Sequence, residues 1–183
     1  MAFAPTLESA RLRLVGFGPQ HLTVRYVAWL NDREVVRYSE QRFRRHTMES
    51  CAAYVRSFGN TPHYLWAIEA HTPPLGHIGN LNAFVDERNR GADLGILIGE
   101  KGAWRQGLGR EAWTAACAFL LRGARMRKVT AGTLASNAAM VAIMRAAGMA
   151  EDGRRVRHVV FEGKEVDVVH AALFREDFVV GIK

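Results

Sequence analysis

The spacing of apolar residues changes period several times along the chain, and each change marks an element. Arg11-Leu12-Arg13-Leu14-Val15 alternates with period two and predicts a strand. Residues 19–30 switch to helical spacing, with Leu22, Tyr26, Trp29 and Leu30 on one side until Asn31-Asp32 breaks the pattern. A second helix is expected over 47–58, with Thr47 as its cap and Glu49 in its first turn. Strands follow at 64–69, 76–84 and 93–98, with Pro73-Pro74 forcing a turn after the first. Residues 107–121 return to helical spacing through Leu108, Ala112, Ala116, Phe119 and Leu120. A strand at 127–133 leads to a helix capped by Ser136 or Asn137 and stopped at Gly148. The chain then reads as a hairpin, 155–161 and 166–174, around Glu162-Gly163-Lys164. Seven strands and four helices in this order predict an α/β fold, a mixed sheet with helices on both faces.

Composition narrows the picture. The 183 residues fit one domain over 1–183, and with 49% of them hydrophobic a core can form without staples. Cys51 and Cys117 lie far apart and outside any CxxC spacing, so neither a disulfide framework nor a zinc site is expected. The seven histidines show no HExxH and no cluster, and no metal is expected. No signal segment is visible, and the longest apolar run, 112–121, is too short to cross a bilayer; a cytoplasmic protein is expected.

Lys and Arg outnumber Asp and Glu by 25 to 18, giving +7, with clusters at 42–46, 122–128 and 154–157. Such charge suits nucleic acid or a phosphorylated cofactor. The clusters at 122–128 and 154–157 contain no aromatic residue for bases to stack on, which argues against nucleic acid.

The most informative segment is Trp104-Arg105-Gln106-Gly107-Leu108-Gly109-Arg110, between a strand and a helix. Glycines there let the backbone approach a ligand, and a helix N-terminus adds partial positive charge, so the place suits a phosphate or pyrophosphate. Gly107 to Ala112 satisfies GxGxxA, but no Asp or Glu occurs between Glu111 and Glu151 to hold a ribose, so the dinucleotide reading fails. Gly102 and Gly107 have Walker A spacing, but Leu108-Gly109 stands where Lys-Ser/Thr is required.

This loop, the segment 94–109 that contains it, and Asn137 with the helix to Gly148-Met149 resemble the GNAT superfamily of N-acetyltransferases. The opening Glu8-Ser9-Ala10-Arg11-Leu12-Arg13-Leu14 and the stretch Ala28-Trp29-Leu30-Asn31-Asp32 resemble its RimJ/RimL-like branch. The resemblance implies that strand 93–98 splays from its neighbour, and that the pantetheine arm of acetyl-CoA lies against Ile96, Leu97 and Ile98, bonded by the main chain of Ile96 and Ile98. It also implies that loop 104–109 holds the pyrophosphate and that Asn137 sits beside the pantetheine, although Asn137 equally reads as a helix cap. Some members of the family place a Ser or Tyr in the turn or helix after the strand to protonate the leaving thiolate; Met140 stands three residues after Asn137, where a Ser often stands, so the general acid is open.

Acetyl transfer to an amine requires loss of an ammonium proton, since a free alkylammonium has a pKa near about 10. Candidate bases are Asp93, His77, Asp167 and Glu69; Lys101, Arg105 and Arg110 are candidates for the phosphates. Neither cysteine is expected to carry the acetyl group. The family's acceptor cleft lies between the first two helices and the final hairpin. Here those elements supply Asn31, Asp32, Arg33, Tyr38, Glu40, Arg42 and Arg44, then His158, Asp167 and His170. That inventory suits a small hydroxylated amine such as an amino sugar, with Asp32 or Glu40 drawing the ammonium and 42–45 meeting a phosphate. The expected partners are acetyl-CoA and this small amine, with a homodimer open and no membrane. The alternatives are a protein N-terminal acetyltransferase, a non-catalytic CoA-binding module and a basic nucleic-acid-binding module.

Overall fold

The computed structural model describes residues 4–71 and 76–178; the Pro73-Pro74 turn lies outside them. Among the described residues eight strands form one sheet: β1 (Leu7–Glu8), β2 (Leu12–Gly16), β3 (Tyr64–Ala70), β4 (Gly76–Asp86), β5 (Gly91–Ile98), β6 (Lys128–Leu134), β7 (Ala150–Phe161) and β8 (Lys164–Phe174). Their order across the sheet is β1-β2-β3-β4-β5-β6-β8-β7. Every neighbouring pair is antiparallel except β5–β6, which is parallel. Four α-helices accompany them: α1 (Val24–Asn31), α2 (Met48–Arg56), α3 (Leu108–Ala118) and α4 (Ala138–Ala146).

Strand alternation explains why both faces of the sheet are covered. On β3, Trp66 and Ile68 enter one core with Ala112, Trp113 and Ala116 of α3 and Met144 of α4. Leu65 and Ala67 point the other way, into a second core with Tyr26, Trp29 and Cys51 of α1 and α2. The mixed sheet with helices on both faces is as the periodicity predicts.

The differences from the sequence reading are local. The added strand is β1, two residues long and below the length at which alternation is visible. Residues 19–30 form two elements, a 3-10 turn at Pro19–His21 and then α1, because the Thr23 side chain accepts from the Tyr26 N–H and restarts the helix. The third helix passes into a π-helical turn, Phe119–Gly123, after Ala118. Asn137 is the cap of α4, and Gly148 follows the helix with φ 83°.

The final hairpin turns at Glu162 and Gly163, both with positive φ, the conformation that joins two twisted strands tightly. Its tip docks on the connection between α1 and α2. The Arg37 guanidinium donates twice to the Glu162 carboxylate, both at 2.9 Å, and Tyr38 stacks on Phe161 with ring centroids 5.3 Å apart. The hairpin thus braces the α1–α2 connection, whose Ser39, Gln41, Arg44, Arg45 and His46 border the space above β4 and β5.

Candidate active site

The parallel pair β5–β6 is joined only through Gly91–Lys128, Ala92–Val129 and Asp93–Thr130, although both strands continue for several residues. Beyond Asp93 they part. The Gly99 N–H bonds Ile78 of β4, whereas the Arg90 carbonyl accepts from Arg127 on the β6 side. Since successive residues of a strand turn their main-chain groups to opposite sides, the even-numbered residues of β5 face β6. The main-chain groups of Ile96 and the Ile98 amide therefore face the gap past the last β5–β6 pair. The Ile98 carbonyl accepts from the Trp104 indole N–H at 2.9 Å. Unpaired amide groups of this kind are ready to bond an extended amide-bearing chain, as an added strand would.

At the head of the gap lies the glycine loop. Arg105 and Gly107 both have positive φ, 61° and 77°, so the chain coils tightly before α3 begins at Leu108. The first intrahelical bond runs from the Glu111 N–H to the Gly107 carbonyl, leaving the preceding amides of the turn without a helical partner. Arg11 braces this arrangement from β2's end. Its Nε donates to Glu111 Oε2 and its main-chain N–H to Oε1, each at 2.7 Å, and Nη1 donates to the Gln106 carbonyl at 2.9 Å. Carbonyl 106 and N–H 107 belong to one trans peptide, so fixing the carbonyl toward Arg11 turns the Gly107 N–H the opposite way. Arg105 and Arg110 are exposed and have no carboxylate partner among the described residues. Lys101 differs from expectation: Asp32 at 2.8 Å and Glu34 at 2.6 Å already hold its ammonium. Asn137 uses its amide as a cap, Oδ1 accepting from the Met140 N–H at 3.3 Å and Nδ2 donating to Thr133 Oγ1 at 3.0 Å.

On the α1–α2 face, a cavity of about 410 Å³ opens over Asn80 and Asn82 of β4 and Gly95, Ile96 and Leu97 of β5. Tyr26, Cys51, Tyr54, Ser50 and Gln41 form its walls, and Arg44, Arg45 and His46 stand along it. Its volume lies within the range of small-molecule sites. Because Ile96 borders both the cavity and the gap, the two spaces meet at β5.

A family model, the GNAT acetyltransferase domain, matches residues 11–150. The chain belongs to the GNAT acetyltransferases. Solved GNAT enzymes share the architecture. A spermidine N-acetyltransferase from Vibrio cholerae in complex with CoA and spermine superposes with a TM-score of 0.81 at 16% identity, over 93% of this chain and 99% of that one. RimL, a ribosomal L7/L12 α-N-protein acetyltransferase in complex with CoA, gives 0.79 at 15% identity, over 94% and 99%. An acetyltransferase of the GNAT family from Bacillus anthracis gives 0.79 at 14% identity, over 94% and 99%. Comparison with curated protein sequences found no match. At these identities the likeness speaks for the fold alone. No helix among the described residues is long and apolar enough to cross a membrane, and no metal-holding group of His, Cys, Asp or Glu occurs among them.

Within this GNAT domain the four candidate bases have different surroundings. Burial among Phe17, His21 and Trp29 pushes His77 down to about 4. Its Nε2 lies 3.0 Å from Asn80 Oδ1, an oxygen that can only accept, so Nε2 carries the proton and donates it. His77 is thus a neutral prop for Asn80. Asp167 accepts from the Arg157 N–H at 2.8 Å and from Arg154 at 2.9 Å, and these bonds hold it below the usual carboxylate range. It secures the bulged part of β7. Burial would raise Glu69, but hydrogen bonds from His21 and Arg13 outweigh it and hold the carboxyl low. Asp93 is exposed and accepts from Thr130 Oγ1 at 2.8 Å. Alternation puts it on the same face of β5 as Gly95 and Leu97, which floor the cavity.

The acceptor inventory also changes. Asp32 is held by Lys101 and Glu40 by Arg42 at 3.2 Å, and neither lines the cavity. His158, Asp167 and His170 lie outside its lining, and so does the hairpin tip, where Phe161 and Glu162 contact Tyr38 and Arg37 of the α1–α2 connection. Asn31 works indirectly: its Oδ1 accepts from the His46 N–H and its Nδ2 donates to the His46 carbonyl, each at 2.9 Å. Asn80 and Asn82 escaped notice in the sequence, though two amides spaced by two in an apolar strand are a visible sign of a polar floor. Cys51, Tyr26 and Tyr54 come from two helices whose buried faces read as plain core.

Proposed function

We propose that the protein transfers acetyl from acetyl-CoA directly to a primary amine of a small molecule. The observation that carries this reading is the parting of β5 from β6 just past Asp93, between the glycine loop and a small-molecule-sized cavity. The Ile96 carbonyl and the Ile98 amide would bond the pantetheine amides, and the amides of loop 104–109, with Arg105 and Arg110, would receive the pyrophosphate. This route delivers the thioester to the β5 floor of the cavity. There a main-chain N–H such as that of Ile96 can stabilise the oxyanion formed when the amine attacks. Asp93, alone among the four bases in having its carboxylate exposed on the cavity face, would take the ammonium proton through water. The cavity's small-molecule size favours a small acceptor over an extended peptide.

Acetyl-CoA turnover across a panel of amines, followed by release of free thiol, tests the reading. Amine-dependent thiol release with an acetylated product is expected; acetylation of peptide N-termini alone would contradict the small-molecule acceptor.

The brace from Arg11 gives a separate test of the loop. Arg11→Ala frees the 106–107 peptide and is expected to raise the Kd for acetyl-CoA roughly tenfold, the worth of one or two charge-assisted hydrogen bonds. The KM for the amine should stay unchanged. Titration calorimetry showing wild-type affinity would mean that the loop keeps its shape unaided.

The chemistry also makes no use of a thiol. Cys51 lines the cavity, but burial pushes its thiol up and keeps it protonated at neutral pH. Cys51→Ala should retain turnover within about threefold, a change set by packing alone. An acetylated cysteine trapped by mass spectrometry would show that the transfer is not direct.

A further inference from the structure

The charges around the acceptor cavity say what kind of amine it takes. Resting on the acetyltransferase reading above, we propose that the acceptor carries an anionic group of its own, a phosphate or a carboxylate, received by Arg44, Arg45 and His46. Among the described residues no Asp or Glu lines the cavity. Of the acids nearest in the chain, Glu40 is paired with Arg42 and Glu49 lies in the first turn of α2 outside the cavity lining, while Asp32 and Glu34 are held by Lys101. Arg44 and Arg45 line the cavity and have no carboxylate within ion-pair distance among the described residues. Two guanidinium groups beside one small cavity, with no acid in its lining and Asp93 set beyond it on β5, repel a polycation and attract an anion.

The other polar groups of the cavity point the same way. His46 lines the cavity, and its Nε2 is buried with no hydrogen-bond partner. The residue is fixed in place, because the Asn31 amide holds both its main-chain N–H and its carbonyl. A buried ring nitrogen without a partner costs free energy unless a ligand supplies one. On the floor, His77 donates to Asn80 Oδ1, which leaves the Asn80 Nδ2 hydrogens for the cavity. The site therefore offers the Asn80 amide as a donor on its floor and guanidinium N–H groups along its edge. Planar guanidinium forks are matched in geometry to phosphate and carboxylate oxygens.

The test compares kcat/KM within matched pairs: O-phosphoethanolamine against ethanolamine, glucosamine 6-phosphate against glucosamine, and β-alanine against propylamine. Spermidine and a short peptide with acidic side chains and a free N-terminus complete the panel. At least one anionic member is expected to exceed its neutral partner by roughly thirtyfold or more, the effect of one or two charge-assisted bonds, with spermidine the poorest. The phosphate and carboxylate pairs distinguish the two anions. The advantage should shrink as salt rises. In the double variant Arg44→Gln, Arg45→Gln the ratio should fall close to one, while acetyl-CoA binds with wild-type affinity and so reports an intact fold. Equal rates within every pair, or preference for spermidine, would overturn the anionic acceptor and leave acetyl transfer standing. Preference for the acidic peptide over every small amine would overturn it in favour of a protein acceptor. Acetyl-CoA that binds but releases thiol with no amine would overturn the transferase reading, and this inference with it.

Discussion

Replacing Gly107 and Gly109 together by valine is expected to weaken acetyl-CoA binding by at least about a hundredfold, to the edge of calorimetric detection, while the fold persists. The two glycines fail for different reasons. Gly107 sits at φ 77°, where a β-branched residue is strained by roughly 1–3 kcal/mol. That strain would be relieved by rotating the 106–107 peptide, which pulls the Gly107 N–H away from the phosphate side and the Gln106 carbonyl off Arg11. Gly109 has an ordinary helical backbone, but a Cβ there would meet Ile98 Cγ1 and Ile143 Cδ1, both at 3.4 Å. Alanine can be accommodated at that spacing. The two further carbons of valine cannot, and they would push against Ile98, whose amide faces the gap. Gly109→Ala alone should therefore stay near wild type and serve as the control. Unchanged affinity in the double variant, with native circular dichroism, would remove the loop from the cofactor site.

What was legible in the sequence is what lies close together along it. The glycine loop is a short motif between a strand and a helix, and its two positive φ angles fall at Arg105 and Gly107, within the segment the motif marks. Asn137 was readable as a cap because a cap is a local hydrogen bond. The sheet and its helices followed from period alone. Other features depend on contacts distant in sequence. Arg11 meets the loop across about a hundred positions, through Glu111 and Gln106, and nothing in its own neighbourhood signals this. The cavity draws on α1, the α1–α2 connection, α2, β4 and β5, so its lining could not be read from any one stretch. The same limit applies to the candidate bases. In the sequence Asp93, Asp167, His77 and Glu69 are equivalent ionisable residues; Arg154, Arg13 and the aromatic surround of His77 are what separate them.

Asp93→Asn should lower kcat at neutral pH by roughly a hundredfold, the usual contribution of a general base, with the Kd for acetyl-CoA within about twofold of wild type. The substitution keeps the size of the side chain and leaves an oxygen to accept from Thr130 Oγ1. It removes only the ability to take a proton. The deficit should narrow as pH rises toward the ammonium pKa of about 10, because more of the amine then arrives already deprotonated. Wild-type activity itself should climb through the neutral range. His77→Asn is expected to behave otherwise. His77 is already neutral at pH 7, so its replacement should raise the amine KM through Asn80 and leave the shape of the pH profile alone. Full activity of Asp93→Asn at neutral pH would exclude Asp93 and leave water in the cavity to carry the proton.

The claim on which these expectations rest is that one continuous space, the β5–β6 gap and the cavity beside it, brings thioester and amine together. Determining the crystal structure of the CoA complex tests it most directly. The pyrophosphate is expected on the amides of loop 104–109, the pantetheine against the Ile96 carbonyl and the Ile98 amide, and the sulfur beside Gly95–Leu97 toward Asn80. CoA bound elsewhere, or in the gap with its sulfur turned away from the cavity, would contradict it.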